Sequence, residues 1–275
     1  MGGTPLKPCP LSLRDAFLKN TFVVKMSKIP IKTAYEIEIM ARTGKILAKI
    51  LDELKKEVRI GVATEELERK ARELIKRYNV KPAFLGYEGY PAVLCVSVND
   101  VIVHGLPSKY QIKDGDIVSL DLGIKYQGYF SDMAVTIPVG NVTEEAKRLI
   151  RVTKKALKRA IKKTRPGNTI GDIGNTIQRY VEKRGFFVVK ELCGHGIGRE
   201  LHEEPQVLNY GRRHTGAKLV PGMVFCIEPM VSMGTGEIKK ASDGFGYATA
   251  DGSLSAHFEH MVLVTKYGRR VLTRI

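Results

Sequence analysis

Four acidic residues stand where a hydrophobic strand should run unbroken. Asp121 sits between Leu120 and Leu122 in DIVSLDLG, Asp132 in YFSDMAVTIP, Glu228 in MVFCIEPM and Glu259 in SAHFEHMVLVT. A carboxylate buried in such a run is very costly unless a charge or a cation compensates it. Each acid taken alone has an ordinary explanation: an ion pair with Arg or Lys, or an edge position facing water. Four of them in four strand-like segments, with His195 and His202 in the glycine-rich stretch GHGIGRELHEEP, point instead to a cluster of carboxylates and imidazoles. That donor set suits hard or borderline divalent cations, and several carboxylates shared at one place suit two ions.

The spacing of the histidines narrows the chemistry. They lie seven residues apart, but Gly194, Gly196 and Gly198 argue against a helix, and an odd separation along a strand turns two side chains to opposite faces. A loop at a strand end is predicted, with one imidazole free to ligate and the other to face a substrate. HExxH is absent, which excludes the single-zinc helix motif, and the glycines lack both the lysine of a P-loop and the spacing of a dinucleotide fingerprint. In SAHFEHMVLVT, period-two alternation puts Glu259 on one face with His257 and Met261, opposite Phe258 and His260.

Elements must hold these groups. Thr33 and Glu36 form a capping box, and Ile37, Met40, Leu47, Ile50, Leu51 and Leu54 recur at helical spacing behind it. A second helix is read from Leu67, Ala71, Leu74 and Ile75, after the break at RIGVAT; the β-rich runs AVLCVSV, VIVHG and DIVSLDLG follow. After TIPVG the pattern repeats. With a shift of 106 residues Gly61 falls on Gly167, Arg59 on Arg165, Leu54 on Ala160 and Leu67 on Ile173. Two α/β halves would leave a cleft along their pseudo-twofold axis.

At 275 residues and 43% hydrophobic content the chain has enough apolar side chains for a proper core. No run approaches eighteen uninterrupted apolar residues, and MGGTPL lacks the Ser or Thr expected at position 6 for myristoylation, so no membrane attachment is expected. Cys9, Cys95, Cys193 and Cys226 are far apart with no CxxC pair, as in a reducing cytoplasm. Lysine and arginine number 45 against 29 acids, a formal net charge of +16, which suits a polyanionic neighbour such as RNA or serves solubility alone. The positive charges lie along helical stretches such as KKALKRAIKKTR rather than among aromatics, unlike a base-stacking platform. Residues 1–33 are expected to form an N-terminal extension, either a flexible leader, a weak targeting segment or sequence upstream of a start at Met26, which opens MSKIPIKTAYEIEIM, and residues 34–275 the domain that carries these acids and histidines.

In order along the chain, GYEGYP with CVSVNDVIVHGLP, DGDIVSLDLG, YFSDMAVT, GHGIGRELHEEP, PGMVFCIEPM and DGSLSAHFEH resemble the methionine aminopeptidases, over roughly residues 34 to 275. The resemblance implies an α+β protein of the pita-bread fold, two pseudo-symmetric α/β halves around a central antiparallel sheet. It implies two divalent metal ions (Co, Mn, Fe or Zn) ligated by Asp121, Asp132, His195, Glu228 and Glu259, with Asp132 and Glu259 bridging them. His104 and His202 are then catalytic histidines that do not ligate, and Glu228 is both ligand and proton carrier. Tyr87, Tyr90 and Cys95 match the family's methionine pocket; Phe245 stands where some members have tryptophan, Leu201 where some have phenylalanine, and Phe84 is a further wall candidate.

The few residues between His202 and Glu228 match the bacterial-type type I enzymes. The resemblance implies nascent polypeptide N-termini as substrate, a small second residue, contact with the ribosomal RNA surface, a cytoplasmic monomer, and no DNA or membrane partner. Two rivals share the fold: a proline-specific aminopeptidase or prolidase, and a catalytically inactive module that binds RNA or protein. Prolidases carry a large additional N-terminal domain, and inactive relatives lose ligands, whereas all five acids and imidazoles are present here.

Overall fold

The computed structural model describes residues 29–274, so the expectation for residues 1–28 lies outside the described residues. The first helix begins where the capping box predicts. The Thr33 hydroxyl accepts from the Glu36 N–H at 3.3 Å while the Glu36 carboxylate accepts from the Thr33 N–H at 2.8 Å, satisfying two otherwise unpaired donors. From there run α1 (Ala34–Glu57), α2 (Thr64–Arg77), β1 (Lys81–Pro82), β2 (Leu94–Val98), β3 (Val101–Val103), β4 (Ile117–Tyr126) and β5 (Tyr129–Pro138). The second half follows as α3 (Glu144–Lys163), α4 (Ile170–Glu182), β6 (Phe187–Val188), β7 (Cys193–Gly196), β8 (Glu203–Leu208), β9 (Val224–Ile227) and β10 (Met230–Ser232). The remaining strands are β11 (Ile238–Lys240), β12 (Tyr247–Thr249), β13 (Ser255–His257), β14 (His260–Thr265) and β15 (Gly268–Val271).

The repeat seen in sequence persists in space. Gly61 and Gly167 both take a left-handed backbone, with φ of 85° and 89°, and each precedes a helix whose N-cap, Ala63 or Thr169, forms an isolated bridge, to Gln111 or Lys218 respectively. One further inserted residue moves the shift to 107, and Gly115 then falls on Gly222, with φ of 90° and 91°. At the same shift β4 falls on β9 and Asp121 on Glu228. Each of these two strands is central to its sheet: β4 pairs with β2 and β5, and β9 with β7 and β14. All these pairings are antiparallel.

Each half has its own core. Leu47, Ile50, Leu51 and Leu54 of α1 pack with Leu67 and Leu74 of α2 against Leu94, Val118, Leu120 and Leu122 of the sheet. Leu149, Val152 and Ala156 of α3 pack with Ile173 and Ile177 of α4 against Phe225, Ile227 and Val262. Burial of each large aliphatic side chain contributes about 1.5–3 kcal/mol. The ends of the chain cross between halves. Lys32, before α1, donates its backbone N–H to the Gly222 carbonyl at 2.8 Å and pairs through its ammonium with part-buried Glu203, so residues 29–33 of the expected extension include a packed segment. Reciprocally, Gly44 of α1 lies so close to the end of β15 that a Cβ there would meet the Leu272 carbonyl oxygen at 2.4 Å.

Candidate metal centre and active site

In the first half the regular ladder of β4 and β5 sets the positions. Asp121 lies opposite Ala134 and Asp132 opposite Gly123, so both acids project from the same face, one diagonal step apart. Across β4, Cys95 of β2 lies opposite Asp121 and joins the same row. Gly123 leaves room there for the Phe84 ring, which a Cβ would meet at 2.7 Å.

In the second half the same result comes from strand ends. His195 stands in β7 where the register with β8 shifts, and its Nδ1 donates to the Gly196 carbonyl at 3.0 Å, leaving the Nε2 lone pair free to ligate. Glu228 follows the last residue of β9. Glu259 lies between β13 and β14 and donates its backbone N–H to the Ala134 carbonyl at 3.0 Å, which ties it to the strand of Asp132. β7 and β9 approach so closely that a Cβ on Gly194 would meet the Cys226 carbonyl at 2.4 Å.

These groups converge at a cavity of about 490 Å³ whose lining includes all five expected ligands. Ligand atoms of Asp121, Asp132 and Glu259 lie within 4.8 Å of one another, as do those of His195, Cys226 and Glu259, so Glu259 belongs to both groups. His195 Nε2 is 3.6 Å from Glu228 Oε1. Among the described residues no lysine or arginine lines the cavity, and Asp121 Oδ1 and Glu259 Oε1 are buried with no hydrogen-bond partner. Uncompensated carboxylates of this kind fit divalent cations, as does the mixed oxygen and imidazole donor set.

The proton affinities express the same crowding. Burial, then repulsion from neighbouring acids, pushes the Asp121, Glu228 and Glu259 carboxyls well above the usual carboxylate range, and burial raises Asp132 to about 7. Burial lowers His195 to about 3 and His202 to about 4. Near neutral pH both rings are therefore uncharged, and the contact of His195 with Glu228 is not an ion pair.

His202 sits in the loop ahead of β8, its ring 4.3 Å from that of His195, so the predicted loop at a strand end is present and brings both imidazoles to one cavity. Tyr87 Oη lies 2.8 Å from His202 Nδ1; with the phenol donating, Nε2–H is left to donate into the cavity. The loop is secured from below by Glu203, which accepts from the Arg199 N–H at 2.8 Å and pairs with Lys32. His104 follows β3 with φ 58°, a strained conformation for a residue with a Cβ. Burial lowers its proton affinity to about 4, and its Nδ1 has no partner.

Phe84, Tyr87, Tyr90, Cys95 and Leu201 line the cavity as expected, and Val103, Leu192 and Met230 form an apolar wall that the sequence did not single out. Phe245 is not in the lining; it packs edge-on against Tyr90 with ring centroids 5.6 Å apart. The cause is its turn, held by Asp243, whose carboxylate accepts from the Phe245 and Gly246 N–H groups. The residue missed outright is His257, fully buried, with Nε2 3.5 Å from Glu228 Oε2. The period-two pattern that put it on the face of Glu259 was its only signal.

The profile of Metallopeptidase family M24 matches residues 38–266, and the chain belongs to that family. Within it, the chain is 48% identical over 247 residues to "Methionine aminopeptidase" of Clostridium perfringens, spanning 90% of this chain and 99% of that one. Its fold matches the crystal structure of methionine aminopeptidase from Thermotoga maritima with TM-score 0.88 and 47% identity, over 90% of this chain and 100% of the other. The prolidase from Pyrococcus horikoshii is less similar, with TM-score 0.71 and 27% identity, and the match spans only 63% of that chain.

Proposed function

We propose that the chain hydrolyses the first peptide bond of nascent polypeptides that begin with methionine and a small second residue, at a centre of two divalent cations held by Asp121, Asp132, His195, Glu228 and Glu259. The observation that carries this reading is the convergence of three buried acids, the part-buried Glu228 and an imidazole from both halves on one cavity that no lysine or arginine among the described residues lines. Bound there, Co, Mn, Fe or Zn would supply Lewis acidity and an activated water.

The protein's own groups do the rest. Glu228, with its raised proton affinity, takes the proton released by the attacking water and delivers it to the leaving amine. His202 donates from Nε2 to the oxygen on which charge develops. His104, poised by its strained backbone, hydrogen-bonds the substrate backbone beyond the scissile bond. The unbranched thioether of methionine fits a wall of Phe84, Tyr87, Tyr90, Cys95 and Leu201, while Val103, Leu192 and Met230 bound the space for a small second residue. The substrate's α-amino group meets the carboxylates, which confines cleavage to the chain terminus. A prolidase reading gains nothing from this site.

The reading extends to a cytoplasmic monomer that meets nascent chains at the ribosome, where the excess of positive charge favours the RNA surface. The test is release of methionine from Met-Ala-Ser and from peptides varied at the second residue, before and after chelation and on adding back each ion. Release that needs an ion and falls with the size of the second residue is expected; full release after exhaustive chelation would overturn the reading.

A further inference from the structure

α3 carries nine basic side chains and two acidic ones, both acids in its first turn. Leu149, Val152, Ala156 and Ala160 bury one side of the helix, and the other side exposes Lys147, Arg151, Lys154, Lys155, Lys158 and Lys162 over about 22 Å, at 1.5 Å per residue. Of these only Lys147 has an acidic partner within the helix, Glu144 at 2.7 Å; among the described residues Lys154, Lys155, Lys158 and Lys162 form no ion pair. Like charges also recur four residues apart, as in Arg151 with Lys155, Lys154 with Lys158, and Lys158 with Lys162, an arrangement that destabilises a helix. The field continues onto β15, where exposed Arg269 donates to the Lys162 carbonyl at 3.5 Å.

We infer that this face of α3, continued by Arg269, binds the phosphate backbone of double-helical RNA; the choice of RNA rests on the proposed action on nascent chains. Its shape selects against other polyanions. A single strand needs a series of exposed rings on which to stack, but Phe186 and Tyr180 beside the helix are covered by Arg148, Arg159 and Arg184, and Tyr267 at the turn before β15, though exposed, carries the Lys266 ammonium over its face. A membrane-bound helix needs an apolar face free to insert, and that of α3 is spent on the core. A straight row of cations without base-reading groups suits the phosphates of a duplex, contacted without regard to sequence. No residue of α3 lines the cavity, so a docked molecule keeps its active site open.

The test measures binding of a labelled RNA duplex of about 20 base pairs to three proteins across a salt series. They are the unaltered chain, a variant with Lys154, Lys155, Lys158 and Lys162 changed to Gln, and a control with Lys45, Lys49, Lys76 and Lys81 changed to Gln. The α3 variant should bind at least tenfold more weakly at about 0.1 M salt, with the salt slope reduced by about four, and the control within about threefold of the unaltered chain. All three should release methionine from Met-Ala-Ser at the same rate, which also shows that each is folded. Equal weakening in both variants would overturn the inference and leave only bulk charge. No duplex binding by the unaltered chain at low salt, or equal binding of a DNA duplex, an acidic peptide or anionic phospholipid vesicles, would overturn it too. RNA binding through α3 by a chain that releases no methionine would sink the proposed activity while leaving this surface in place.

Discussion

In the first half Asp121 and Asp132 are held by ten consecutive cross-strand pairs of β4 and β5, whereas in the second His195 stands at a register shift, Glu228 beyond the end of β9 and Glu259 between β13 and β14. The surfaces differ as well. Lys55, Lys56, Arg69, Lys70 and Arg72 on α1 and α2 pair with acids on their own helix, and Arg77 pairs with Glu53 of the neighbouring one, while most of the cations on α3 have no such partner. The two halves thus share a skeleton, down to the left-handed glycines and the matched places of Asp121 and Glu228, and differ in irregular backbone and outward charge. The regular half supplies a fixed platform, and the irregular half supplies the groups aimed into the cavity.

The largest test of that comparison sets the matched acids against each other. Asp121→Asn and Glu228→Gln should each lower kcat/KM for methionine release by a factor of about 10³ or more, with ion content measured alongside; loss of proton transfer alone accounts for about 10²–10⁴. If Glu228→Gln kept full activity while Asp121→Asn did not, the two places would not be equivalent in the reaction. His202→Ala should lower kcat by about 10² while calorimetry shows metal affinity retained; an equal loss of affinity would make His202 a ligand and redraw the second half's contribution. His257→Ala, which removes the ring beside Glu228, should cost about tenfold, and His257→Gln, which keeps a donor, should recover most of it.

The smallest effect lies in the regular half, at the cap of α1. Hydrogen bonds from the Thr33 backbone and Tyr129, with Arg199 nearby, hold the Glu36 carboxyl down at about 2. A depressed carboxyl contributes stability that is present above its ordinary value and disappears as pH falls toward the folded value. Glu36→Gln should therefore lower stability by about 1 kcal/mol at pH 7, seen as a shift in the urea midpoint, with the difference shrinking between about pH 4.5 and pH 2. A difference unchanged at pH 2 would mean that the charge is not what matters.

Legibility followed the same divide. The acids of the first half could be placed because Leu120, Asp121 and Leu122 sit in an unbroken strand whose parity fixes the face, and α1 and α2 because their caps and apolar spacing are regular. The glycine match at positions 61 and 167 carried the repeat. In the second half, parity could not say where His195 and His202 would point, since a bulge and a loop decide that; the family resemblance assigned them, and both line the cavity. Phe245 escaped because its direction is set by the Asp243 turn rather than by any periodicity, and the wall of Val103, Leu192 and Met230 because it is assembled from distant segments that each read as ordinary core. The lysines of α3 were visible as a run, but not their lack of partners, which depends on what packs nearby.

Lys32 lies ahead of the first helix, yet its ammonium is the counter-charge to Glu203 beneath the His202 loop. A shortened form beginning at residue 34 would keep every acid and imidazole of the cavity and look complete by any inventory of motifs. It would nonetheless leave the part-buried Glu203 carboxylate without its cation, and the loop would have to shift to hydrate it. A tag, a fusion junction or a protease site intended to spare the enzyme thus belongs ahead of Lys32, whose backbone N–H also holds the Gly222 carbonyl.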